Sequence, residues 1–121
     1  MKCILIVDDF KNTRYVTRMM LERNNYEVLE AEDGQHALNV LGGDKTVDLV
    51  VTDYNMPIMN GVELVEKMRE MTAYKYIPVI LLTTETDDKK KERANKAGIT
   101  GWVVKPFDFK KFLTIIEKAL K

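Results

Sequence analysis

The sequence predicts a doubly wound α/β domain, in which a parallel sheet of five strands carries helices on both faces. Three observations carry that prediction. Short apolar runs alternate five times with segments of helical period, as a chain of βα units requires. The first, third and fourth runs are apolar at nearly every residue, which suits strands covered on both faces. The connections are short, and no Pro/Gly/Ser linker, internal repeat or low-complexity stretch interrupts the 121 residues, a length that suits one domain.

Taken in order, the first strand is expected at residues 4–7, with Cys3 a small core residue at its start. The helix after it shows an apolar stripe of Val16, Met19 and Met20. The second strand, residues 28–31, is broken by Glu30 and is expected at a sheet edge. Asp33 before Gly34 is an N-cap for a second helix with the stripe Ala37, Leu38 and Leu41, on which His36 is expected to face solvent. The third strand is placed at residues 49–52. Asn60-Gly61 is a turn signal ahead of a third helix carrying Leu64, Val65, Met68 and Met71. The fourth strand is Val79–Thr83. The helix expected over residues 87–97 offers only Ala94 and Ala97 as apolar residues, among Lys89, Lys90, Lys91, Glu92, Arg93 and Lys96. The fifth strand is placed at residues 102–104, and Asp108 caps a last helix with Phe109, Phe112, Leu113, Ile116 and Leu120 on one stripe. Right-handed crossovers between such units give a flavodoxin-like sheet of order 2-1-3-4-5.

Composition narrows the function. Nineteen Lys+Arg balance nineteen Asp+Glu, so no bulk attraction to nucleic acid or anionic membrane is expected. Lone Cys3 cannot form an internal disulfide, which suits a reducing, cytoplasmic setting. Apolar runs of about four residues fall far short of the roughly 20 needed to span a bilayer, so no membrane insertion is expected.

In doubly wound sheets the ligand site lies at the carboxyl ends of the strands. Those ends carry Asp8 and Asp9 after the first strand, Asp53 after the third, Thr83 on the fourth and Lys105 after the fifth. Alone, each has an ordinary reading: a turn-forming Asp, a strand-forming Thr, a solvated Lys. Together they converge on one chemistry. Three carboxylates crowded at one rim repel one another, so either one or more takes up a proton or cations compensate. Oxygen-only ligands favour a hard ion such as Mg²⁺, which keeps several waters and so leaves room for phosphoryl oxygens. A carboxylate can act as nucleophile and become an aspartyl phosphate, and the central carboxylate is Asp53.

These residues resemble the receiver domains of bacterial two-component response regulators, over the whole chain. ILIVDDF resembles the family's first-strand acidic motif, LVVTDYNMPIMNG its phospho-acceptor motif, VILLTTE its fourth-strand motif and GWVVKPF its fifth-strand motif. The run DDFxxxRxxxRxxL at residues 8–21, with Arg14 and Arg18, and the Thr-Gly-Trp before the last strand are most similar to single-domain chemotaxis regulators of the CheY type. The resemblance implies a sensor histidine kinase as phosphodonor and Asp53 as acceptor. It implies Mg²⁺ held by Asp9, Asp53 and the backbone carbonyl of Asn55, with Asp8 acting partly through water. Lys105 would pair with phosphoryl oxygens, Thr83 would swing toward them, and Trp102 would turn inward. Receivers more often carry Tyr or Phe where Trp102 stands. Asn55 and Glu85 would tune the lifetime of the phosphate, expected to be seconds to minutes, and Lys105-Pro106 would be cis. Met56 and Pro57 are expected to shape the loop after Asp53, and Tyr54 to border the site partly covered.

Phosphorylation replaces one carboxylate charge with about two and adds acceptor oxygens. The weakly anchored fourth helix is the element such a change can move. It forms the expected partner surface with the fifth strand and fifth helix, represented by Lys90, Lys91 and Lys111. The expectation is a single receiver domain over residues 1–121, monomeric and without an output domain, either free-standing or excised from a larger regulator. It is not an enzyme in the ordinary sense. A flagellar motor switch or a phosphatase is the expected downstream protein, and a phosphate sink or a relay step outside chemotaxis is the alternative. A haloacid-dehalogenase-type phosphotransferase is a remoter one, because Asp8-Asp9 lacks that family's Asp-x-Asp spacing. Flavodoxin proper would need a Ser/Thr/Gly-rich phosphate loop where Phe10-Lys11-Asn12 stand.

Overall fold

The computed structural model describes residues 1–84 and 86–121. The elements follow as β1 Cys3–Val7, α1 Lys11–Arg23, β2 Glu27–Ala31, α2 Gly34–Leu41, β3 Leu49–Asp53, α3 Gly61–Met68, a 3₁₀ turn Thr72–Tyr74, β4 Val79–Thr83, α4 Asp88–Ala97, β5 Gly101–Val104 and α5 Phe109–Ala119. All pairings are parallel and the order is β2-β1-β3-β4-β5. The fold is the flavodoxin-like one that the alternating runs predict. Four of the strands are longer by one residue than the apolar runs alone define. Cys3, Glu27, Asp53 and Gly101 join the ladder because main-chain pairing continues past the last apolar side chain.

Side chains alternate across the sheet and feed two layers. Ile4, Ile6, Val51, Ile80 and Leu82 face Leu21 of α1 and Phe112 and Ile116 of α5. Cys3, Leu5, Val7, Val50 and Val79 face α2 and α3 through Ala37, Leu41, Leu64, Val65 and Met68. A smaller cluster of Tyr54, Val62, Leu81 and Ala94, with half-buried Trp102, lies under α4. The stripe assigned to α1 is corrected here: Val16 is exposed, Met19 and Met20 are half-buried, and the residue driven into the core is Leu21. Its neighbours Arg14 and Arg18 turn the adjoining side of the helix toward Glu30 of β2 rather than toward apolar surface.

The capping residues behave as the sequence suggests. Asp33 and Asp108 accept from the N–H of His36 (2.7 Å) and Lys110 (2.9 Å). Asn60 and Glu63 close a reciprocal capping box at the start of α3. Asp87, expected inside the fourth helix, is its N-cap, accepting from Lys89 N–H at 2.8 Å. Cys3 is buried and His36 exposed, as expected. Among the described residues, no helix is long and apolar enough to cross a membrane.

Candidate functional site

The ends of β1, β3 and β5 at the carboxyl rim are each held by one more main-chain bond beyond the regular ladder. Asp8 N–H donates to Ala31 O (3.1 Å), Tyr54 N–H to Leu82 O (2.8 Å) and Lys105 N–H to Thr83 O (2.8 Å). These bonds fix the backbones of Asp8, Asp53 and Lys105 relative to one another before any side chain acts. The Lys105–Pro106 peptide is cis, as the resemblance implies.

The side chains converge as the strand-end rule requires. Asp8, Asp9 and Asp53 each offer a carboxylate oxygen within 4.8 Å of the others. Asp53 and Asp8 are buried, at 5% and 4% exposure, and Asp9 is half-buried. Lys105 Nζ donates to Asp53 Oδ1 at 2.8 Å. Asp8 Oδ1 is used locally, accepting from Phe10 N–H at 2.8 Å. Burial pushes the Asp53 carboxyl up to about 7. The Lys105 ammonium opposes that rise and the neighbouring Asp8 charge adds to it. Thr83 is buried at the end of β4, and its carbonyl anchors Lys105.

The donor set fits a hard divalent cation. It is all oxygen, its three carboxylates face a single lysine, and Asp9 Oδ1 is buried with no hydrogen-bond partner. A buried carboxylate oxygen without a donor is costly unless a cation takes it up.

Gly61 sets a tighter constraint than its turn signal suggests. Its N–H donates to Tyr54 O at 2.9 Å, and an added Cβ would run into the Asp53 carbonyl oxygen and come within 2.6 Å of Leu81 Cδ1. Only glycine lets α3 start this close to the end of β3. The sequence could have shown this only as a Gly at the first helical position after Asn60, where the close approach is invisible.

The remaining predicted residues lie around this centre. Asn55 is exposed just beyond Asp53, Met56 is buried and Pro57 is exposed in the loop after it. Glu85 lies outside the described residues. Trp102 is half-buried on the sheet's edge strand and meets Tyr54 edge-on, with ring centroids 6.0 Å apart. Tyr54, expected to be partly covered, is 9% exposed, because the period of β3 turns it toward α4. Lys90 Nζ lies 5.7 Å from the centre of the Tyr54 ring, so a residue next in sequence to Asp53 touches both β5 and α4. Lys90, Lys91 and Lys111 are all exposed. Lys111 and Trp102 line a shallow groove of about 350 Å³ between β5 and α5, with Val104, Phe107 and Ile115.

Comparison with known proteins agrees with this geometry. Residues 4–117 match the response regulator receiver domain. The chain is 42% identical over 105 residues to the chemotaxis protein CheY1 of Helicobacter pylori, covering 86% of this chain and 85% of that protein. Among solved structures, the chemotaxis protein CheY4 of Vibrio cholerae superimposes with a TM-score of 0.93 at 38% identity, over 99% of both chains. The response regulator TrrA of Thermotoga maritima, solved in complex with Mg(2+)-BeF, gives 0.85 at 33% identity over 99% of this chain and 100% of that one.

Proposed function

The chain belongs to the response regulator receiver domain family, and on that footing we propose that it takes a phosphoryl group from the phosphohistidine of a sensor kinase onto Asp53 and signals by changing the surface formed by α4, β5 and α5. The observation that carries the reading is the 2.8 Å bond from Lys105 Nζ to Asp53 Oδ1 inside a buried acidic cluster. That bond aligns one oxygen of Asp53 and leaves the other to attack phosphorus. The new O–P bond forms as the donor's N–P bond breaks, and the imidazole leaves with its electron pair and gains a proton.

A divalent cation such as Mg²⁺, held by Asp8, Asp9, Asp53 and the carbonyl of Asn55, would supply the positive charge that lets phosphoryl oxygens enter an acidic rim. Lys105 is placed to exchange the carboxylate for a phosphoryl oxygen, because its main chain is tied to Thr83 and its ammonium is already at the acceptor. Thr83 supplies a hydroxyl at the neighbouring strand end. Its move toward the phosphoryl group vacates space under α4, into which Trp102 turns. Asn55, exposed just beyond Asp53, borders the path of hydrolytic water, and its polarity suits a phosphate lasting seconds to minutes. The domain promotes its own phosphorylation and its loss, so it is a regulator and not an enzyme acting on an outside product.

Likeness to chemotaxis regulators favours a protein target in flagellar control, docked on Lys90, Lys91, Lys111 and the β5–α5 groove. Alanine at Lys90, Lys91 and Lys111 is expected to weaken that target's binding to the phosphorylated domain, and unchanged affinity would reject this surface. The main reading is tested by incubating the protein with Mg²⁺ and acetyl phosphate and recording intact mass. A gain of one phosphoryl group that is absent in Asp53→Asn is expected, and no gain in the unaltered protein at any Mg²⁺ concentration would reject it.

A further inference from the structure

Arg14 and Arg18 are spaced one helical turn apart on α1, and the chemistry described so far uses neither. Both turn toward β2. Arg14 Nε donates to Glu30 Oε1 at 3.0 Å, and Arg18 Nη1 donates to the other oxygen of the same carboxylate. The second branch of Arg14 goes elsewhere: Nη1 donates to the backbone oxygen of Asp8 at 2.7 Å. The Arg14 side chain is 14% exposed, so these bonds are shielded from competing water.

The carbonyl that Arg14 grips is half of a planar peptide unit, and the other half is the nitrogen of Asp9. Fixing the carbonyl fixes the plane, and the plane sets the direction from which the Asp9 side chain departs. On the other side of Asp8, its N–H is tied to Ala31 O, the residue after Glu30 in β2. Asp8 is therefore clamped to the edge strand by its own amide and, through Arg14 and Glu30, by its carbonyl. The carboxylate beyond the clamped peptide has a buried oxygen, Asp9 Oδ1, that no protein donor holds in place.

We propose that Arg14 is a positioning residue for the cation site: braced by Glu30, it orients the Asp8–Asp9 peptide so that the Asp9 carboxylate faces the bound ion. The proposal rests on the divalent-cation reading given above. A purely electrostatic role gives the opposite sign. A guanidinium near three carboxylates repels a divalent cation, so its removal by charge alone would tighten binding. Loss of positioning loosens it, and groups that orient metal ligands typically contribute tenfold or more in affinity.

The test is calorimetric titration of the full chain with MgCl₂, with no phosphodonor, for the unaltered protein, Arg14→Gln and Arg14→Lys, with thermal unfolding recorded for each in the absence of Mg²⁺. A core variant remote from the rim, Ile116→Val, serves as the destabilised control. The expected result is a dissociation constant about tenfold weaker in both Arg14 variants, with the control unchanged. Lysine keeps the charge but has one terminal nitrogen, which cannot serve Glu30 and the Asp8 carbonyl as the forked guanidinium does. Mg²⁺ binding by Arg14→Gln that equals or exceeds the unaltered protein overturns the proposal, as does full rescue by Arg14→Lys or an equal weakening in the control. If Arg14→Gln does not fold, Arg14→Lys alone decides. Absence of Mg²⁺ binding by the unaltered protein overturns the cation reading and this proposal with it, whereas a loss confined to the Arg14 variants upholds both.

Discussion

Asp53 sits in an environment that opposes its charge. Burial holds its carboxyl at about 7 instead of the ordinary 3.8, with Lys105 pulling down and Asp8 pushing up. The folded protein therefore binds more protons than the unfolded chain between those two values, and stability falls as pH rises through that window. The contribution is fully present below the unfolded value and lost above the folded one. In Mg²⁺-free buffer the unaltered protein is expected to lose more stability than Asp53→Asn between about pH 4 and pH 8 in urea titrations, since asparagine cannot titrate. Equal pH profiles would show that Asp53 is not the group responsible. Gly61 makes a second demand at this scale. Gly61→Ala pushes into the Asp53 carbonyl and Leu81, and is expected to cost about 1–3 kcal/mol by urea unfolding while slowing phosphorylation. A variant at unaltered stability and rate would mean that α3 can retreat without disturbing the acceptor.

Among the elements, α4 is held differently from its neighbours. α3 buries Val62, Leu64, Val65 and Met68, whereas α4 buries Ala94 alone. Polar contacts do the rest. Arg69 donates to the carbonyls of Tyr74 (3.0 Å), Ala97 (3.3 Å) and Gly98 (2.6 Å), tying down the C-terminal end of α4, and Arg93 pairs with Glu66 on α3 through two bonds. These two contacts differ in weight. The Arg93–Glu66 pair is exposed, so Glu66→Gln is expected to cost less than about 1 kcal/mol. Arg69→Leu strands several carbonyls and is expected to cost about 1–3 kcal/mol in denaturant unfolding. Hydrogen exchange is expected to be faster in α4 than in α3. Slower exchange in α4 would remove the reason for choosing it as the mobile element.

The weak apolar hold on α4 was legible in the sequence, because Ala94 and Ala97 are its only apolar residues. So was the strand order, because apolar runs separated by helical stripes admit few connections. The direction of α1 was not legible. Val16, Met19 and Met20 read as a stripe, but Leu21 enters the core and Val16 faces solvent, while Arg14 and Arg18 on the adjoining side of the helix reach Glu30. Long polar side chains acting between elements leave no periodic trace.

At the scale of the whole molecule, zero net charge divides into an acidic rim and a basic surface. The gathering of Asp8, Asp9 and Asp53 was legible because doubly wound sheets bring strand ends to one place. The contacts that link the rim to the rest of the fold were not. The Tyr54–Trp102 pair joins residues far apart in sequence, the Arg14 brace and the close approach of Gly61 join nearer ones, and all three need the folded distances. Because the rim exists only in the folded state, Mg²⁺ at about 100 times its dissociation constant is expected to add roughly 2.7 kcal/mol to stability, reversed by a chelator. No stabilisation at any concentration would argue against the cation. Transfer of a phosphoryl group to Asp53 leaves a chemical mark that can be read at the residue itself. After treatment with acetyl phosphate and Mg²⁺, borohydride reduces an aspartyl phosphate to homoserine, which peptide mass mapping can locate. Homoserine is expected at position 53 and nowhere else. Homoserine at position 8 or 9, or none at all, would contradict Asp53 as the acceptor.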